Sequence, residues 1–217
     1  ESVPVTVHFT EKDKMITRKA FIDVVNVSAS QFFRGVASEA RPLHDEVEEM
    51  QRAGIQMHIH VNGDEASDVS IGAIEAASRK HPWTEARHVL QHCQMMGVDQ
   101  FKRCANMGIC TNIFANHIWY FGDQHAALTI GNDRAERMDA VRAALDAGVN
   151  VAIHSDAPVT PMGPLFTAWC AVTRQTMSGR VLGAKQCISV EEALHAITLG
   201  AAYTLKLDHD IDSIEAG

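Results

Sequence analysis

Three times along this 217-residue chain, an amphipathic helical stretch ends at a glycine and runs straight into a β-rich apolar segment. The first carries Leu43, Val47 and Met50 on one face, then reaches Gly54 and "IQMHIH". The second carries Phe101 and Cys104 or Ala105, then Gly108 and "ICTNIF". The third carries Met138, Val141 and Leu145, then Gly148 and "VNVAIH". Spacings of three and four define a helical face, and glycine just past the end supplies a left-handed cap. Strands alternating with helices imply a parallel sheet with helices packed outside it.

The unit predicts strands over 55–61, 109–114 and 149–154, and a fourth, "RHVLQH", over 87–92. A helix is expected from Asp64 to Lys80, with Ala66, Val69, Ala73, Ile74 and Ala77 inward and His81-Pro82 as its stop. A further helix is expected over Leu165 to Met177. Ser189 with Glu192 three residues on is a capping box, opening a helix that runs to about Leu205. "VPVTVHF" and "RKAFIDVV" near the amino end read as two more strands.

Composition narrows the function classes. The chain is 46% hydrophobic, enough for one globular unit with a real core. A net charge of −8 without a Lys/Arg cluster argues against nucleic-acid binding. No apolar run approaches the ~18 residues of a membrane span. The five cysteines form no CxxC pair and read as reduced, buried thiols of a cytoplasmic protein. No signal peptide is visible, and because the chain opens on Glu1 a longer parent is expected. Histidine is the outlier, with 12 residues.

The polar residues fall at predicted strand ends. His60, His92, Asn112 with Asn116 and His117, and His154 with Asp156 all lie at or just after a carboxyl end. In parallel α/β folds that edge is where ligands bind. His60, His92 and Asp156 together could hold a divalent ion, since zinc accepts neutral imidazole and carboxylate. Each alone has a plainer reading: a hydrogen-bonded strand-end histidine, or an Asp fixing the turn before Pro158. His58 lies two residues before His60, so both face the same side, His58 one layer deeper. In "NGD", Gly63 permits a tight turn and Asp64 can cap the next helix. "NHIWYFGDQH" reads as a loop in which His117 and Trp119 either contact substrate or pack. The chain has no GxGxxG, GxxxxGK[ST] or GxSxG.

The segments "GIQMHIHVNGDEA", "RHVLQH", "ANHIWYFGDQH", "VNVAIHSDAPVTPMGPL", "AVTRQTMSGRVLG" and "ISVEEALHAITLGAAYTL" together resemble the metal-dependent amidohydrolase superfamily, in its YtcJ-like, amidohydrolase-3 branch. They occur in the family's order from about Arg34 to Gly217. The resemblance implies a (β/α)8 TIM barrel that hydrolyses carbon–nitrogen bonds of amide-type, non-peptide small molecules with one or two zinc ions. It assigns His60 as the fifth-strand metal ligand, His92 as the sixth-strand ligand, and Asp156 as the eighth-strand acid, both ligand and proton carrier. The family's HxH pair on the first strand has no counterpart here. Lys19 in "KAFID" loosely matches the family's fourth-strand lysine, but Val24 stands where the family has glycine.

The resemblance therefore implies an α/β fold that is part of the barrel, about strands five to eight with their helices. Residues 1–208 would be the carboxyl half of the barrel and 209–217 the start of a truncated β-sandwich. A small amide-type substrate is expected, with no nucleic-acid or membrane partner. A homo-oligomer or a second chain would complete the barrel. Two alternatives are a non-catalytic scaffold and a small-ligand binding module derived from the same fold.

Overall fold

The structure, a computed structural model, describes residues 43–211 and the backbone of two short strands, His8–Phe9 and Lys19–Asp23. The tail "DSIEAG", where a β-sandwich was expected to begin, lies outside the described residues, as does most of "VPVTVHF".

Six strands form one sheet: β1 (His8–Phe9), β2 (Lys19–Asp23), β3 (Gln56–Val61), β4 (Val89–His92), β5 (Cys110–Ile113) and β6 (Val151–Ile153). They lie side by side in chain order. β1 pairs antiparallel with β2, and every later pairing is parallel. The helices between them are α1 (Leu43–Arg52), α2 (Asp64–Lys80), α3 (Val98–Met107), α4 (Asn116–Gln124), α5 (Asn132–Ala135) and α6 (Val141–Asp146). After β6 come α7 (Pro164–Thr173), α8 (Val190–Ile197) and α9 (Leu199–Leu205). The three strands expected from the helix–glycine–strand unit are β3, β5 and β6, and "RHVLQH" contains β4. Gly54, Gly108 and Gly148 all take positive φ, the conformation that lets a helix stop and the chain turn into a strand.

Alternation along β3 separates the two faces of the sheet. Met57, Ile59 and Val61 are wholly buried and join the core. His58 and His60 line a cavity on the opposite face. Leu90, Ile113 and Val151 continue the apolar face and pack with Ile71 and Ile74 of α2, Phe101 of α3 and Val141 of α6. Each such fully buried large side chain contributes roughly 1.5–3 kcal/mol. The described sheet thus has most of its helices behind it and polar side chains in front, where α9 closes one end of the cavity with Ala201, Thr204 and Leu205.

Several local expectations need correction. "NHIWYFGDQH" is not a loop: it forms α4, whose inner face carries Ile118 and Gly122. α7 stops at Thr173 because Arg174 takes a left-handed conformation. The last helix breaks at Thr198 into α8 and α9, though Ser189 and Glu192 do form the expected capping box. Gly63 is the N-cap of α2, and Asp64 lies inside the first turn, accepting from the Glu65 N–H at 3.1 Å. Val69 is only half-buried, while Ser70 and Ile71 take the inward positions. Met138 precedes α6 rather than lying in it.

His88 shows how the buried face handles a polar ring. Its Nδ1 accepts from the Met57 N–H at 3.1 Å, and its Nε2 bonds to Gln51 Oε1 at 2.6 Å. Both nitrogens are satisfied only in the neutral form, and burial first, then the charges of Lys206 and His58, pushes its pKa down to about 3. Between about pH 6.5 and 3 the unfolded chain takes up a proton that native His88 refuses. Stability is therefore complete above pH 6.5 and falls by about 1.4 kcal/mol per pH unit below it. Urea midpoints at pH 7 and pH 5 should show this loss in the native chain and a smaller one in His88→Asn. Equal losses in the two proteins would refute the assignment.

Candidate metal centre

The cavity on the polar face has a volume of about 530 Å³. Its lining includes His58, His60, Gln91, His92, His154 and Asp156. One register row of the sheet runs His60, Gln91, Asn112, Ala152, so simple alternation brings the first three polar groups to the same side.

His92 does not follow that alternation. The register aligns it with Val61 and Ile113, both on the apolar face. Its φ of 69°, followed by 53° at Cys93, turns the chain at the end of β4. The ring then stands in the cavity, its centroid 4.2 Å from that of His60 and 4.9 Å from that of His154. Asp156 also has a positive φ, 54°. Left-handed conformations at non-glycine residues cost of order 1–2 kcal/mol and persist only where the surroundings enforce them. Two of the three sequence-predicted ligands occupy such positions.

Hydrogen bonds hold the wall in place. Gln91 donates through Nε2 to His58 Nδ1 at 2.8 Å and accepts at Oε1 from Asn112 Nδ2 at 2.8 Å. Asn62 donates through Nδ2 to His60 Nε2 at 3.1 Å. The loop after β6 is tied to α4: Asn116 Nδ2 donates to Thr160 Oγ1 at 2.9 Å, and Thr160 Oγ1 donates to the Ser155 carbonyl.

Burial pushes His92 down to about 2, helped by the mutual repulsion that protonated His154, His60 and His117 would exert. His154 is likewise held at about 3, by burial first and then by His117 and His60. Burial raises the Asp156 carboxyl, while the charged forms of His60 and His117 oppose the rise. Neutral imidazoles beside a carboxylate are the donor set that zinc and similar divalent ions take. His92 and Asp156 offer ligand atoms within 4.8 Å of each other, in a group that also holds a ring nitrogen of His154. The His60 ring lies 4.2 Å from that of His92. The residues present therefore fit a divalent ion.

The structure thus brings His60, His92 and Asp156 to one cavity, and His58 lines its deeper layer. It does not bring His117 and Trp119 there. His117 lies behind Phe114, ring centroids 4.0 Å apart, and its Nδ1 is 3.2 Å from Oδ1 of the wholly buried Asp139. Trp119 packs 5.2 Å from Trp169 and 5.9 Å from Phe166, joining α4 to α7. Lys19 pairs in register with Gln56 at the amino end of β3, whereas Asp23 pairs with His60. His154 is the site residue that reading by single motifs passes over. Its signal is its position, one residue past β6 and two before Asp156.

Fold and site together define the class: a segment of a (β/α) barrel with a candidate metal centre at the carboxyl ends of its strands. The chain belongs to the amidohydrolase family, whose sequence profile matches residues 17–217. It is 32% identical over 179 residues to the N-substituted formamide deformylase of Arthrobacter pascens, covering 81% of this chain and 32% of that protein. An uncharacterized metal-dependent hydrolase from Pyrococcus horikoshii OT3 superposes with a TM-score of 0.65 at 22% identity, over 82% of this chain and 36% of the other. A variant of the atrazine chlorohydrolase TrzN from Arthrobacter aurescens TC1, complexed with zinc and atraton, superposes at 0.56 and 18% identity, over 81% and 38%. The chain spans about a third of the length of the relatives it matches.

Proposed function

We propose that this chain forms part of a zinc hydrolase that cleaves the carbon–nitrogen bond of small, non-peptide amides, with His60 and His92 as metal ligands and Asp156 as ligand and proton carrier. The observation that carries the reading is that these three residues, from three strand ends, face one cavity. The deformylase relative supports the amide class, and the zinc in the TrzN structure supports the metal.

A bound zinc ion would polarise the amide carbonyl and acidify a water molecule. The chain's own residues supply the rest. His92 presents a neutral ring, because burial and the repulsion of neighbouring imidazoles keep it unprotonated. Asp156 takes the proton from the attacking water and returns it to the amine nitrogen as the carbon–nitrogen bond breaks. Burial raises its pKa, which favours the uptake of that proton.

The segment from residue 1 to 208 is read as the carboxyl half of a barrel, to be completed by further strands or a second chain. Weak metal binding and negligible turnover are expected of these residues alone. A cytoplasmic setting suits the five free cysteines, four of them buried. Equilibrium dialysis against a zinc-containing buffer tests the centre. About one zinc per chain is expected at saturation, and binding no greater in the native chain than in His60→Ala would end the proposal. Robust hydrolysis of N-methylformamide by these 217 residues alone would overturn the half-barrel reading.

A further inference from the structure

His154 offers ring nitrogens close to His92 and Asp156, and its Nε2 is shielded from solvent with no partner among the described residues. Taken alone, that would suit a third imidazole ligand. The other nitrogen decides otherwise. The Asp156 backbone N–H donates to His154 Nδ1 at 3.1 Å. A backbone amide can only donate, so Nδ1 carries the lone pair and the ring proton sits on Nε2. Ligation through Nε2 needs the opposite tautomer, which would set the Nδ1 proton head-on against the Asp156 amide proton.

We propose that His154 is a positioning residue: its Nδ1 holds Asp156 in the left-handed conformation that points the carboxylate into the cavity, and it is not a metal ligand. The inference rests on the reading of Asp156 as ligand and proton carrier.

The surroundings of His154 suit a fixed clamp. Its own N–H is bonded to the Ile113 carbonyl at 3.0 Å, anchoring it to β5. Its ring stacks on Phe114, with centroids 5.2 Å apart and planes 24° from parallel, and meets His92 edge-on. Asp156 is then held on both sides of its Cα: its N–H by His154, and its carbonyl by the Val159 N–H at 2.7 Å. Remove the Nδ1 acceptor and only the bonds from Val159 and Thr160 to the carbonyls of Asp156 and Ser155 remain to hold the turn against the φ of 54°. The main chain relaxes toward negative φ, and the carboxylate leaves the cavity.

Two substitutions separate positioning from ligation. In His154→Asn the side-chain oxygen sits where Nδ1 was and accepts the same N–H. In His154→Gln the oxygen sits nearer to where Nε2 was, and cannot. The first readout is hydrogen exchange of the Asp156 amide in the metal-free 217-residue chain. Exchange should speed up by about tenfold or more in His154→Gln and return to within about threefold of native in His154→Asn. The second is zinc affinity by competition with a chromophoric chelator, weakened about tenfold in His154→Gln and restored in His154→Asn, the size of effect outer partners of a metal site have. Unchanged exchange in His154→Gln overturns the proposal. So does zinc affinity that His154→Asn lowers as much as, or more than, His154→Gln, the outcome for a ligand. If the native chain binds no zinc while the exchange pattern holds, the positioning role stands and the hydrolase reading falls.

Discussion

Replacing His92 by alanine is expected to weaken zinc binding at least about a hundredfold, equivalent to about 2.7 kcal/mol. The magnitude follows from the position of the ring. It lies 4.2 Å from the His60 ring, and its ligand atom is within 4.8 Å of one on Asp156, so it is in reach of both of the other proposed ligands. Burial keeps it neutral throughout the working pH range, so no proton competes for its lone pair. The fold should survive. Alanine in place of a ring held at positive φ removes contacts at the cavity mouth but leaves the apolar face of the sheet intact. The check is a pair of measurements: chelator competition for affinity, and thermal melting with and without zinc. Zinc should raise the melting temperature of the native chain and leave that of His92→Ala unmoved, because only a ligand that binds the folded state stabilises it. An equal zinc-dependent rise in both would show that the ion binds elsewhere.

Arg174→Met is expected to be the most destabilising of the single changes considered, by roughly 3–5 kcal/mol. Arg174 is almost completely buried, at 1% exposure. Its guanidinium donates to three main-chain carbonyls: from Nε to Leu182 at 2.7 Å, from Nη1 to Asp139 at 3.0 Å and from Nη2 to Met138 at 2.9 Å. Methionine fills a similar volume and donates nothing. Each of the three carbonyls loses a donor, that of Asp139 keeping only the Val141 N–H, and the buried Asp139 carboxyl loses its nearby positive charge. Folded domains are stable by only about 5–15 kcal/mol, so the variant should melt far earlier or populate the unfolded state. Urea titration gives the number, and a loss below about 1 kcal/mol would contradict the account. Arg174→Lys should fall between the two, since a single ammonium cannot reach all three carbonyls.

The site joins these two regions. The carbonyl of Asp139 is held by Arg174, while its carboxyl faces His117, whose ring lies against Phe114, and Phe114 in turn supports His154. Arg174 lies in "AVTRQTMSGRVLG", a segment that carries the family resemblance yet has no evident chemistry as a sequence. Its role appears only when three distant carbonyls converge on it.

Local pattern explains why so much of the scaffold was legible. The helix–glycine–strand unit needs only residues near one another in the chain, and β3, β5 and β6 follow from it with their preceding helices. α4 was misread because "NHIWYFGDQH" mixes aromatic, polar and glycine residues without a clean helical face. Gly122, poor for a helix by itself, is explained only by packing: a Cβ there would press on the side chains of Thr176 and Leu182, so glycine lets α4 lie close to the segment after α7. The sequence leaves Trp119 open between substrate contact and packing for the same reason: nothing near it in the chain announces Phe166 and Trp169 as its neighbours.

By itself, the sequence determined the order of strands and helices, the face of β3 that carries His58 and His60, and the family to which the chain belongs, because each rests on spacing along the chain. Only the tertiary structure decided that His92 turns into the cavity against the alternation of its strand, and that Asp156 is held by His154 Nδ1. The physical reason is the same in both places. A left-handed residue that is not glycine is unfavourable locally, so its conformation is set by contacts that the fold alone brings together.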